Sequence, residues 1–125
     1  MKLLWLMGGG ALGTLLRYLV SGWAMQWGPG VFPYGTMAVN VLGSFFIGVF
    51  WAVFESGNLQ VNHRLFLFTG LFGGFTTFSS YSLETLNLVR DQEIKLAVLN
   101  FLGNNLLGFI GVVAGFLLVK LLIVR

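Results

Sequence analysis

The chain has no cysteine, which removes disulfides, thiolate nucleophiles and zinc–thiolate sites together. Charge is nearly as scarce: 9% of the residues are Asp, Glu, Lys or Arg, against roughly 25% in soluble domains. A sequence so poor in charge cannot coat itself with a wetted surface. The one histidine, His63, falls in a predicted loop with no ligand partners at metal spacing. Three of the four carboxylates also lie in or near loops, and no two are placed for proton transfer, so no enzyme chemistry emerges. The formal charge of +3 is scattered and forms no basic stripe of the kind that grips nucleic acid.

What remains is apolar. Hydrophobic residues make up 57% of the 125, and the mean hydropathy is +0.88. A membrane crossing needs ~20 mostly apolar residues. Four stretches qualify, about 3–25, 35–54, 65–89 and 96–119, so the reading is an all-α, multi-pass membrane protein with one transmembrane domain over 1–125. The first link carries Pro29 and Pro33 as helix stops, with Trp27, Phe32 and Tyr34 as interfacial aromatics. Lys2 before an apolar run resembles a signal peptide, but no small-residue cleavage site follows and Arg17 interrupts the run. The first span is therefore expected to be retained.

Four crossings place both termini on one side, with Lys2, Arg64, Lys120 and Arg125; Arg90 and Lys95 fall on the other. Positive charge orients a membrane protein through its bias between short loops. This bias is small, so termini-inside insertion and insertion both ways up stay open.

Glycine is abundant, with 18 residues, and small residues let helix backbones approach closely in lipid. The run GGGALG (8–13) fits a dinucleotide-binding glycine pattern, yet it lacks the preceding strand and the following acidic residue, so it reads as packing surface. Arg17 lies in the first span, where an arginine costs ~2.5–3.5 kcal/mol at mid-helix and needs a partner or a wet cavity. Snorkelling to the far interface and a structural salt bridge with Glu84 are alternatives, and a vestibule that draws in anions is the preferred role. Thr36, Asn40 and Ser44 repeat at i, i+4 and i+8 on one helical face. They form either a polar track, with two Asn40 N–H donors open to an anion, or glue between helices.

The third span contains GLFGGFTTFSSYS (70–82), whose glycines and hydroxyls suit a helix interior poorly. A break near 73–79 is expected. Unwound backbone at membrane depth survives only when buried in protein or lining a cavity. Such a break frees carbonyls suited to cations on its first half and N–H groups suited to anions on its second. Phe78 and Tyr81 flank it, and a ring edge can meet an anion. In the fourth span Asn104, Gly108, Gly111 and Gly115 share a face, with Asn100 and Asn105 nearby; Asn105 joins the track or packs.

The stretches GGALGTLLRY (9–18), GTMAVNVLGS (35–44) and GLFGGFTTFSSYSLET (70–85) together resemble the Fluc (CrcB-type) fluoride channel family over nearly the whole chain. The resemblance implies an antiparallel, dual-topology homodimer in the bacterial inner membrane, exporting fluoride passively through two pores. It also implies a structural sodium ion on backbone carbonyls, which by motif position belong to Gly73 and Thr76. Asn40, Phe78 and Tyr81 become pore residues, and Ser79, Ser80, Ser82, Thr36 and Asn105 join the track. Arg17 stands at the vestibule, and Glu84 is structural. Tyr81 departs from the family's phenylalanine, and Asn105 from a family serine. Four helices packed on their own centre leave no wet lumen, so a path would run along grooves between copies.

Two other classes compete. A proton-coupled small multidrug-type transporter needs an acidic residue in the first span, and there is none. A non-transporting scaffold would use every polar residue as glue.

Overall fold

The computed structural model describes residues 1–28, 30–55, 57 and 59–123, so Pro29 and Arg125 lie outside it. Helix α1 (Lys2–Ala24) tightens into a 3₁₀ turn at Met25–Trp27. Helix α2 (Tyr34–Glu55) starts directly after Pro33, whose carbonyl accepts the Met37 N–H at 3.2 Å. Proline stops the link and opens the helix, because its fixed φ suits a first turn. Helix α3 runs as Val61–Arg64, a wide π-helical stretch Leu65–Phe72 and a last turn Gly73–Phe75. Helix α4 is Phe78–Arg90. A tight turn through Gln92, at φ 63°, leads into α5, which is Ile94–Leu102, a π-helical stretch Gly103–Leu107 and Gly108–Ile123.

Three helices are long and apolar enough to cross a membrane: Lys2–Trp27, Tyr34–Glu55 and Ile94–Leu122. The expected third span is instead split between α3 and α4, and each half is shorter than the ~20 residues a crossing needs. Helical structure stops at Phe75 and resumes at Phe78, inside the expected 73–79 window.

Of the two causes the sequence suggests, the hydroxyls act at the break and the glycines do not. No glycine in the segment takes a positive φ; Gly70, Gly73 and Gly74 are all helical. The unwound residues are Thr76 (φ −86°, ψ 159°) and Thr77 (φ −151°, ψ 112°). Both hydroxyls capture local backbone. Thr76 Oγ1 donates back to the Phe72 carbonyl at 2.9 Å, and Thr77 Oγ1 accepts the Ser80 N–H at 3.2 Å as the N-cap of α4.

The glycines act elsewhere, as close-approach points between two helix pairs. Against α3, a Cβ on Gly9 would strike the Phe66 carbonyl, and one on Gly13 would strike the Leu71 carbonyl. From the other side, a Cβ on Gly70 would meet the Leu6 carbonyl at 2.8 Å, and one on Gly74 the Gly10 carbonyl at 2.7 Å. Between α2 and α5, Gly48 and Gly115 face the Val112 and Phe45 carbonyls in the same way. Backbone contact of this kind gives lipid-borne helices the dispersion energy that hydrophobicity cannot supply there.

This geometry separates two kinds of glycine. Gly115→Leu would drive a side chain into the α2 backbone, an overpacking that typically costs ~1–3 kcal/mol. A Cβ at Gly22 meets nothing within 4 Å. Thermal unfolding in detergent should show a clear loss of stability for Gly115→Leu and none for Gly22→Ala.

Candidate functional site

The two helix pairs leave an open groove of about 340 Å³ beside the break. Asn40, Gly73, Thr76, Phe78, Tyr81 and Asn105 line it, together with Thr77, Ser44 and Asn104. No lining residue is charged. A second groove, of about 410 Å³, lies between α2 and α5 and is walled by Ile47, Trp51, Val112 and Phe116 among other apolar residues, so it offers an ion nothing.

Asn40 closes the break. Its Oδ1 accepts the Thr77 N–H at 2.7 Å, and its Nδ2 donates to the Thr77 carbonyl at 3.1 Å. One side-chain amide thus pairs with both backbone groups of an unwound residue. In a continuous helix the Thr77 N–H would reach the Gly73 carbonyl; its diversion to Asn40 releases that oxygen. The second Nδ2 proton of Asn40 goes to Asn104 Oδ1 at 2.7 Å. Both donors are therefore engaged inside the chain, which corrects the expectation that they stand free for an anion. Buried polar groups are costly unless they find partners, and this amide has found all of its own.

Behind Asn40 runs a chain of neutral groups. Asn104 Nδ2 donates to the Asn100 carbonyl at 2.9 Å and to Asn100 Oδ1 at 3.0 Å. Asn100 Nδ2 donates to Thr85 Oγ1 at 2.9 Å, and Thr85 Oγ1 donates to the Tyr81 carbonyl at 2.7 Å. Asn100 and Asn104 are buried, at 0% and 8% exposure. The sequence reading placed Asn104 only on a packing face and missed this role. Its signal was present in the i, i+4 pair Asn100–Asn104 inside an apolar helix.

The aromatic pair meets edge to face, with ring centroids 4.9 Å apart and planes at 84°. Phe78 is 74% exposed, whereas Tyr81 is 5% exposed. The Tyr81 hydroxyl accepts from Asn105 Nδ2 at 3.2 Å, and Asn105 Nδ2 also bonds the Phe101 carbonyl at 2.7 Å. Asn105 therefore serves packing and groove together.

Other expected site residues lie outside the groove lining. Ser80 Oγ accepts from Thr77 Oγ1 at 3.0 Å, and Ser82 Oγ donates to the Phe78 carbonyl at 2.8 Å. Exposed Ser79 makes a 3.4 Å contact with Thr77 Oγ1. The Arg17–Glu84 pair does not form. Thr36 Oγ1 donates to Glu84 Oε1 at 2.6 Å, while Arg17 Nη1 donates to the Thr76 carbonyl at 3.4 Å. The break explains the exchange: unwinding leaves Thr76 with an acceptor that the arginine can reach. Among the described residues the one salt bridge is Lys120–Glu55 at 2.8 Å.

Several apolar helices of membrane length, packed backbone to backbone beside a neutral polar groove, define a multi-pass membrane protein. Residues 4–116 match the family described as CrcB-like protein, Camphor Resistance (CrcB), and the chain belongs to that family. It is similar to the "Fluoride-specific ion channel FluC" of Parabacteroides distasonis, at 52% identity over 90% of this chain and 88% of the relative. The protein of the same description from Desulforapulum autotrophicum is 43% identical over 90% of this chain and 91% of its own. That from Maridesulfovibrio salexigens is 40% identical over 98% of each.

The clasp can be tested by stability. Asn40→Leu leaves the Thr77 N–H without a partner, an orphaned group that costs ~1–3 kcal/mol, and strips the side-chain bond from its carbonyl. Thr77→Val removes only the cap, worth ~1 kcal/mol. Denaturation of the purified protein should rank Asn40→Leu as the more damaging of the two.

Proposed function

We propose that the protein is a fluoride-selective ion channel that exports fluoride passively and so protects the cell from its toxicity. On this reading it works in the bacterial inner membrane as an antiparallel homodimer with two pores and a structural sodium ion at the dimer interface. The observation that carries the proposal is the uncharged groove, whose polar groups come from amides, hydroxyls and aromatic edges. Relatives covered over most of their length are described as fluoride-specific channels, which supports the same ion.

The chemistry fits a small, strongly hydrated anion. Fluoride gives up water only where other donors replace it, and a fixed cation in the path would hold it. Conduction needs binding strong enough to admit the ion and weak enough to release it. Asn40 and Asn105 carry neutral N–H groups that internal acceptors hold until an ion competes for them, and Phe78 presents a ring at the groove with Tyr81 packed edge-on beside it. Ser79 and Ser80 extend the donor track beyond the groove, and Ser82 and Thr36, whose hydroxyl protons go to the Phe78 carbonyl and Glu84, support it. Arg17, outside the lining, acts at the vestibule, where a charge attracts the anion without trapping it. Glu84 serves structure by anchoring Thr36.

Segment 61–90, halved by the break, makes the fourth crossing. Its unwound pair lies against the groove, which is open to the side in a single chain. A second copy laid against that opening would complete a path. The Gly73 and Thr76 carbonyls are oxygens of the kind hard cations take, and a sodium ion at Thr76 would have to displace the long 3.4 Å contact from Arg17 Nη1. Gly73 has lost the Thr77 N–H, and a Cβ on it would meet nothing within 4 Å. Two carbonyls are few for a cation, and the same pair from an inverted copy would double them. If bound there, sodium would supply a positive charge beside the carbonyls that hold it.

Proteoliposomes carrying the purified protein should release fluoride to a selective electrode and retain chloride; comparable chloride release would refute the proposal. Opposed insertion has its own test in Asn62→Cys, since no native thiol interferes. An impermeant thiol reagent should label this cysteine from both faces of the membrane. Labelling from one face alone would rule out the antiparallel dimer.

A further inference from the structure

We infer that Asn104 is the neutral competitor a permeating anion must displace from the Asn40 amide, and that its Oδ1 thereby sets how tightly fluoride is held in the groove. The inference rests on the channel reading above. It starts from the direction of the hydrogen-bond chain, which is fixed at both ends by groups that cannot reverse.

At one end the Thr77 N–H can only donate, so Asn40 must turn Oδ1 toward it. That leaves Asn40 Nδ2 facing Asn104, which must answer with Oδ1. At the other end the Tyr81 carbonyl can only accept, so Thr85 Oγ1 donates to it and accepts from Asn100 Nδ2. Asn100 then offers its own oxygens to Asn104 Nδ2, whose protons are used on the Asn100 carbonyl and Oδ1. The two derivations meet with every amide oriented the same way. Asn104 therefore points an acceptor, and no free donor, at the groove.

Its Oδ1 bonds an Asn40 proton at 2.7 Å, shorter than the 3.1 Å bond from the same nitrogen to Thr77. The Oδ1 contact holds the Thr77 N–H and cannot be given up without orphaning it, whereas the Thr77 carbonyl, as the N-cap oxygen of α4, keeps a helical partner. The two Nδ2 protons are the ones an anion can take, and of these the one shared with Asn104 meets the stronger competitor. Asn104 and Asn40 both line the groove, so an anion can reach the point of exchange. Asn104 is a positioning residue: it acts through Asn40 and donates nothing to the ion.

Two measurements on the full-length, reconstituted protein test this. In the first, fluoride flux is recorded across a range of fluoride concentrations for wild type, Asn104→Leu and Asn104→Ala. Removing the competitor should lower the half-saturating fluoride concentration about fivefold, the effect of one neutral hydrogen bond, and should slow the maximal flux. A merely structural loss would cut maximal flux and leave half-saturation in place. In the second, asparagine side-chain amides are followed by NMR in ¹⁵N-labelled wild type during a fluoride titration. Asn40 and Asn104 should shift together with one midpoint, because displacement changes both partners; movement of Asn40 without Asn104 would overturn the inference. Unchanged or raised half-saturation in a variant that still folds would also overturn it. Wild-type protein that carries no fluoride would instead remove the channel reading beneath it.

Discussion

The structure depends on one amide meeting one peptide unit. Lipid gives unwound backbone no water to bond, so a break in a membrane helix needs substitute partners inside the protein. Asn40 provides them by offering an acceptor and a donor in the geometry that the Thr77 N–H and carbonyl require. The consequences spread outward from this contact. Diverting the Thr77 N–H frees the Gly73 carbonyl, and Thr77 Oγ1 is left to cap α4. The remaining Asn40 proton ties α2 to α5 through Asn104. A single residue on α2 thus holds the end of α3, the start of α4 and the middle of α5 in register.

The glycine seams make this contact possible. Asn40 can reach Thr77 only if α3 ends close to α2, and the seams of α3 on α1 and of α5 on α2 set those distances. Where Gly43 faces the break, a Cβ would strike the Thr76 side chain, so the same device operates at the site itself. The π-helical stretches Leu65–Phe72 and Gly103–Leu107 flank the groove from two sides. Such widened turns rotate the side chains that follow them, and they recur at functional sites in other helices. Here one precedes the break and the other carries Asn104 and Asn105.

Hydropathy made the three helices of membrane length legible, because length and apolar composition suffice for an unbroken helix. The break was legible too, together with half of its cause, from the crowding of hydroxyls at 76–80. Glycine suggested flexibility, whereas the structure uses it for close approach and unwinds at threonine. Thr36, Asn40 and Ser44 share one helix, yet only Asn40 and Ser44 line the groove, since partners cannot be read from one helix alone. Asn40 had no visible reason to be saturated until Thr77 and Asn104 came beside it. Arg17 and Glu84 were joined by sign of charge, the strongest signal available in one dimension. In three dimensions a carbonyl released by unwinding and a hydroxyl one span away lay nearer. Asn104 went unrecognised because an asparagine at i, i+4 from another reads equally as glue.

The saturated amide is not at odds with a conducting groove. A donor left open in an apolar interior costs a substantial part of its desolvation energy, so a groove lined with unpaired N–H groups would favour collapse. The resting arrangement must bond its donors internally, and any ion that enters has to compete for them. What then governs passage is the strength of the internal partner. A carboxylate in place of Asn104 would hold the Asn40 proton with a charge-assisted bond, roughly twice as strong as a neutral one, and would also repel an anion. An aliphatic side chain would offer no competition and leave the ion to settle. A neutral amide oxygen lies between these extremes, and the ladder behind it, ending on the Tyr81 carbonyl, keeps that oxygen turned toward the groove.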